Sequence, residues 1–310
     1  MAVLQPPSGP SIILPDRCLV GRSRSCDLVL SGRDISGQHA ALQWTGADWE
    51  LHDLGSRNGT FVDDVRLAAG GRVALRAGAL LRFGLETPAY RLVDVTAPQL
   101  MARGLTSEEL RFGDGGYLAL PDSEQPEVCV YQDPLGAWIC ERDGVTATID
   151  DRAVVTTRDG AAWCVHLPRS CPGTWQDDGS ALFVANLVLQ FAYSRDEEHV
   201  ELVAVCGDRR LDLQARAHHY VLLVLARQRQ ADERAGVPAA EQGWVPQAKL
   251  QKMLGMDENH LNICIHRART QLGRLGVIDA ASLVERRSGA RRVRLGVGRL
   301  EMQPLAGTSG

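Results

Sequence analysis

Three short stretches near the N-terminus set polar residues in an order that turn formation alone does not require: Gly21-Arg22-Ser23, Ser36-Gly37-Gln38-His39-Ala40 and Asp53-Leu54-Gly55-Ser56-Arg57-Asn58-Gly59-Thr60. Tight turns use Gly and Asn because both tolerate positive φ, but that need does not explain an ordered Arg, Ser and His. A guanidinium fork beside short neutral donors, carried on loops of a rigid scaffold, is equipment for gripping a phosphorylated side chain with its near-double negative charge. A second set lies far downstream. Asn262, His266 and Arg269 fall at i, i+4 and i+7, with Asn259 one turn earlier and Arg267 and Arg274 alongside. Arg286, Arg287, Arg291, Arg292 and Arg294 crowd the stretch that follows. Asn can read adenine, Arg can read guanine, and either can hold a phosphate, so this set suits nucleic acid.

The first set needs a scaffold of strands. Apolar stretches at 12–14, 27–30, 40–44, 49–51, 60–62, 72–75, 80–83 and 90–93 alternate with Gly, Asp, Asn and Ser clusters, and no long helical period interrupts them. Such short strands with turn chemistry between them predict a β-sandwich. With its GR, SxxH and NGT stretches in this order, the segment 1–97 resembles the forkhead-associated (FHA) domain, a phosphothreonine-binding module. The resemblance implies that Arg22 supplies the fork and Ser36 donates to a phosphate oxygen, while His39 braces the loop. It further implies that Asn58 hydrogen-bonds the peptide main chain and that Arg57 reaches the phosphate or a flanking residue.

The middle, 98–185, says less. Strand-like stretches at 117–120, 128–131, 137–141, 145–149, 153–157 and 161–167 predict a β-rich region of unassigned role. Gly113-Asp114-Gly115-Gly116 precedes a strand and not a helix, so it is a turn without the helix N-terminus that would cradle phosphate. The acid pairs Asp150-Asp151 and Asp177-Asp178 sit on polar turns, and Cys164, His166 and Cys171 lack a fourth ligand. Neither an enzyme nor a metal centre is predicted.

From 186 the pattern changes to strands at 187–193, 200–206 and 210–213, then to a helix over Ala215, His219, Leu222, Leu223 and Ala226 that ends near Arg229. On it, His218 and His219 divide into one packing and one surface residue. Pro246 opens a short second helix, Gln247 to Leu254; Gly255-Met256 breaks it, and Asp257 can cap a third that runs to about Leu275. Leu261, Ile265, Ala268, Leu272 and Leu275 form its core stripe. The stretch 283–295 reads as two strands around a Ser-Gly turn. In element order and charge, 186–300 resembles the winged helix-turn-helix of response-regulator transcription factors, with 301–310 as a flexible tail. The resemblance implies that Asn259, Asn262, His266, Arg267, Arg269, Arg274, Arg286, Arg287, Arg291 and Arg292 face double-stranded DNA. No receiver domain precedes it, so no phosphoaspartate switch is implied.

Charge supports this division. Residues 244–299 carry +7, leaving −11 for the remainder of a 310-residue chain of net charge −4. All but two of the basic residues are arginine, a skew spread over the whole chain. No membrane-length apolar run or export signal is present, and eight cysteines without a CxxC pair read as reduced thiols. The expectation is a cytoplasmic bacterial transcriptional regulator with three parts: an all-β FHA sandwich, a β-rich middle and an α+β winged helix-turn-helix. It has no cofactor and no membrane partner, and a homo-oligomer is allowed. A Ser/Thr kinase would mark a partner, or this protein itself, on threonine, and docking of that mark at Arg22 and Ser36 would change oligomerisation or free the winged helix. The alternative is a phosphoprotein-binding scaffold whose winged helix contacts protein and not DNA.

Overall fold

The computed structural model describes residues 2–107, 109–168 and 181–305, which form two compact units. The first is built on 2–101 with 166–168, the second on 102–165 with 181–305.

The first unit is a sandwich. One sheet runs in the order Ile12–Ile13, Val3–Gln5, Tyr90–Asp94, Leu80–Phe83, Thr60–Val62, Val65–Arg66. The other runs Leu28–Val29, Arg17–Gly21, Ala40–Trp44, Trp49–Asp53, Arg72–Ala74. The period-2 pattern turns Leu4, Val20, Leu42, Leu51, Leu81, Phe83 and Leu92 inward around Trp49. Three of these strands, Val3–Gln5, Arg17–Gly21 and Val65–Arg66, were not anticipated, because each is bracketed by Pro, Asp or Arg that masks a short alternation.

Asp53, at the end of its strand, organises the loop behind it. It is buried and accepts from the N–H groups of Gly55, Ser56 and Gly70 and from the hydroxyls of Ser56 and Thr60. Burial pushes its carboxyl pKa up, but the hydrogen bonds, Ser56 and Thr60 foremost, outweigh it and hold the pKa below the ordinary aspartate value.

The second unit holds three α-helices, α1 (His219–Arg234), α2 (Gln247–Leu254) and α3 (Glu258–Arg274). α2 ends where Gly255 takes a left-handed conformation (φ 64°), and α3 starts at Asp257, whose side chain accepts from the His260 N–H at 2.7 Å. A hairpin of Val284–Arg287 and Arg292–Leu295 follows and is widened by Val245–Pro246. An antiparallel meander, Leu118–Leu120, Val128–Gln132, Trp138–Arg142 and Val145–Thr148, belongs to the same unit. The middle region packs into this unit: its Tyr117 and Tyr131 are buried in one cluster with Leu189, Leu222, Leu261 and Ile265. The stretch expected as a flexible tail, 301–310, begins as a strand, since Arg299–Pro304 pairs in parallel with Val188–Tyr193 and packs Leu300 and Met302 on the core. That six-residue alternation, R-L-E-M-Q-P, is a half-buried strand. α1 starts later and ends later than its apolar stripe suggested. His219 is buried and His218 is half-buried rather than on the surface, both sharing the Gln271 Oε1 at 2.9 Å.

Cys171 and Asp177-Asp178 lie outside the described residues. Among the described residues no three His, Cys, Asp or Glu side chains gather as metal ligands, and no helix is long and apolar enough to cross a membrane.

Two expectations follow. Asp53→Asn should cost the first unit about 2–3 kcal/mol, since it swaps an acceptor of five bonds for a group that also carries donors. Because the folded pKa is depressed, the wild-type carboxylate stabilises fully above the ordinary aspartate pKa, and this is lost as pH falls through the lower folded value. The wild-type advantage in urea should therefore shrink as pH falls below the ordinary aspartate pKa of about 4; an advantage independent of pH would contradict it. Asp257→Ala should cost about 1 kcal/mol by loss of the cap, read as a lower urea midpoint for the second unit.

Candidate functional site

In the first unit, Gly21 closes its strand so near the neighbouring loop that a Cβ there would lie 2.3 Å from the Gly37 carbonyl oxygen. That approach lets the Arg22 N–H donate to the Ser36 carbonyl and the Ser23 N–H to the Gly37 carbonyl, both at 2.9 Å. Arg22 and the Ser36 loop are thereby fastened to each other through backbone alone.

His39 is fully buried beneath them. Its Nδ1 accepts from the Ser36 N–H at 3.1 Å, so the proton sits on Nε2, which donates to the Gly59 carbonyl at 3.1 Å. The imidazole thus links two of the three loops and touches no solvent. The third connection runs through serine: the Arg57 N–H donates to Ser36 Oγ at 3.2 Å, which leaves the Ser36 hydroxyl proton for an outside acceptor. Asn58 Nδ2 donates to the Asp34 carbonyl at 2.7 Å, leaving Oδ1 and one N–H. Arg22 and Arg57 are exposed, and among the described residues neither guanidinium has a partner. Asp34 was overlooked. Its carbonyl anchors Asn58 and its Oδ2 accepts from the Glu86 N–H at 2.8 Å, a bridge across 52 residues that no local pattern announces.

The second predicted set is arranged otherwise. The apolar stripe of α3 faces the core as expected, yet its polar face is covered as well: Cys264, His266, Arg269 and Thr270 are also buried. Arg269 Nη1 donates to Glu141 Oε2 at 2.9 Å, and the Tyr131 hydroxyl donates to the same oxygen at 2.8 Å. Arg286 Nε lies 2.8 Å from Glu141 Oε1. Glu141 and Tyr131 belong to the meander. Burial drives the Glu141 pKa up, but Arg269 and Arg286 overcome that and bring it down to about 2. His266 is held at about 4 by burial and by Arg269, and Cys129 Sγ lies 3.6 Å from its Nδ1.

At the rim Arg267 pairs with Glu124 at 2.8 Å and Arg274 pairs with Asp114. Asn262 accepts from Arg286 at 2.8 Å, Arg287 grips Glu241 through both Nη atoms, and Arg291 meets Glu258 at 2.7 Å. Of the residues expected to face DNA, then, His266, Arg269 and Arg286 are closed in and four more arginines are ion-paired, while Asn259 is half-buried and Arg292 exposed. The expectation of an open reading face is corrected for this arrangement, because α3 is wrapped on both sides. Periodicity identifies the apolar stripe of a helix but not what covers its polar one.

Residues 18–84 match the FHA domain family. FhaB of Mycobacterium tuberculosis, an FHA domain-containing protein, is 38% identical over 66 residues, which are 21% of this chain and 41% of that one. Protein phosphatase 2C 70 of Arabidopsis thaliana is 31% identical over 128 residues, 37% of this chain and 21% of that one. The chain therefore spans less than half the length of either relative. A solved structure of Mycobacterium tuberculosis EmbR with a low-affinity phosphopeptide aligns at 26% identity and a TM-score of 0.28, over 31% of this chain and 25% of that one. The N-terminal sandwich that carries the three interlocked loops contains the stretch that matches, and it is an FHA domain.

Proposed function

We propose that this protein is a phosphothreonine-reading transcriptional regulator. Its FHA domain docks a partner that a Ser/Thr kinase has phosphorylated, and its C-terminal unit is a winged helix-turn-helix that binds double-stranded DNA. The observation that carries the first half is the division of roles at the loops. Arg22, Arg57 and the Ser36 hydroxyl proton are free, while His39, Asp34 and Asp53 hold them in place. A dianionic phosphate meets two uncompensated guanidiniums and a donor that are already positioned, so little ordering entropy opposes binding. The second half is supported by element order, the three helices and basic hairpin, and by the +7 charge over 244–299. Docking of the phosphorylated partner changes what the C-terminal unit does. The scaffold reading, in which that unit contacts protein, is favoured by the burial of His266 and Arg269.

Arg22→Ala should weaken binding of a phosphothreonine peptide at least about tenfold, with Arg22→Lys in between because a point charge replaces a fork. Calorimetry showing equal affinity would remove Arg22 from the site. A 30-base-pair duplex should bind the full chain with an affinity that falls steeply with salt, and replacing the exposed pair Arg291 and Arg292 by Ala should flatten that slope by about two. Added phosphothreonine peptide should tighten this binding. Salt-insensitive or absent binding under every condition would favour the scaffold.

A further inference from the structure

The face of α3 is covered by something with a particular chemistry. The turn Gly113-Asp114-Gly115-Gly116 lies directly on the helix backbone. A Cβ on Gly115 (φ 56°) would meet the Thr270 carbonyl oxygen at 2.7 Å, and a Cβ on Gly273 would meet the Gly115 carbonyl oxygen at 2.1 Å. Glycine is thus needed on both sides of the contact, which fixes the turn at one place along α3. Beyond it Tyr117 stands edge-on to His266 with ring centres 6.3 Å apart, and Tyr131 lies under the Arg269 guanidinium at 5.2 Å.

Three acids of the covering segment sit on arginines of α3 and the hairpin, Asp114 on Arg274, Glu124 on Arg267 and Glu141 between Arg269 and Arg286, while Glu127 and Asp143 face Arg158 instead. A carboxylate offers a guanidinium the same two-oxygen edge that a phosphate does. The segment therefore occupies, with carboxylates, the positions a duplex would occupy with phosphates.

The seam is core-like at Tyr117 and Tyr131 but not throughout. Three of its buried polar atoms, Thr270 Oγ1, Arg269 Nε and Arg286 Nε, make no hydrogen bond among the described residues, which penalises the closed state. A cavity of about 510 Å³ runs along it, lined by Asp114, Glu124, His218, His260, Arg267 and Arg274. Buried ion pairs hold an interface little better than apolar residues of equal volume, so a joint built on them is suited to reversal.

We propose that the segment 113–148 is an intramolecular cover of α3, docked by carboxylate mimicry of phosphate, and that its docking and duplex binding exclude each other. This rests on the reading of α3 as a DNA-binding helix. Closed, the cover keeps the protein off DNA; lifted, it exposes His266, Arg269 and Arg286 together.

Gly273→Ala in the full chain tests it. Alanine favours the helix itself, yet its Cβ collides with the docked turn, so the substitution opposes the cover specifically. Glu141→Gln is the second variant: it removes the mimicking charge while keeping the shape. Two quantities are read, the rate at which Cys129, the seam thiol against His266, reacts with iodoacetamide at pH 8, followed by mass spectrometry, and the affinity for a random 30-base-pair duplex at 50 and 200 mM salt. Both variants should label at least about tenfold faster and bind the duplex about tenfold tighter than wild type, with a steeper salt slope. Unchanged labelling in both would show that the turn does not dock on α3 and would overturn the proposal. Faster labelling with wild type and variants binding duplex alike would also overturn it, leaving DNA binding in place. Faster labelling with no duplex binding by any of the three would remove the DNA reading of α3, and the proposal with it.

Discussion

One carboxylate held between two guanidiniums decides how the C-terminal unit is put together. Glu141 comes from the meander, Arg269 from α3 and Arg286 from the hairpin, and Arg269 Nη2 also donates to the Val284 carbonyl at 2.5 Å. Three elements distant in sequence therefore converge on one group. The net worth of such a cluster relative to an apolar one is small, but removing one member strands the others in low dielectric at about 3–5 kcal/mol. Its contribution is to specify register: only one placement of the meander puts Glu141 within reach of both arginines and the Tyr131 hydroxyl. The Gly115 and Gly273 contact demands that same placement through sterics alone. Two unrelated forces agree, and this makes the arrangement definite despite the polar seam.

The FHA loops solve a different problem, how to keep cations unpaired yet fixed. Unpaired guanidiniums on mobile loops would collapse onto nearby carboxylates, of which Asp34 and Asp53 are close in sequence. Both acids are instead occupied, the Asp53 carboxylate by five donors behind the loop and the Asp34 carboxylate by the Glu86 N–H. His39 contributes without charge, since one ring nitrogen accepts and the other donates. The groups that build the loops are thereby separated from those that meet a ligand, and the positive field at Arg22 and Arg57 remains available.

Much of this was legible from residue types. The sandwich, α2 to the residue, the Asp257 cap and the turn at 113–116 follow from local signals, because a cap or tight turn needs its residue type wherever it occurs, whereas the bracing by His39 was implied by the family resemblance alone and the close approach at Gly21 was not foreseen. What the sequence concealed depends on pairing across long separations. Asp34 to Glu86, Glu141 to Arg269 and Asp114 to Arg274 link residues 52, 128 and 160 positions apart, and no periodicity encodes a partner. The polar stripe of α3 had the composition of a DNA-reading face, and it equally has the composition of a surface that receives carboxylates. No local signal assigned a partner to Asp114, Glu124 or Glu141, because their arginines lie in another third of the chain.

That ambiguity has a physical resolution in how the two kinds of pair respond to salt. Arg267 with Glu124 and Arg274 with Asp114 are exposed at the rim, so mobile ions screen them. Glu141 with Arg269 and Arg286 is dry and is screened far less. Salt therefore loosens the edge of the seam and leaves its centre intact. Acid does not open the centre readily either. The Glu141 pKa is near 2, so its contribution is complete above the ordinary carboxylate range and is lost only as pH falls toward that value. Within the physiological range, then, neither salt nor pH breaks the Glu141 cluster.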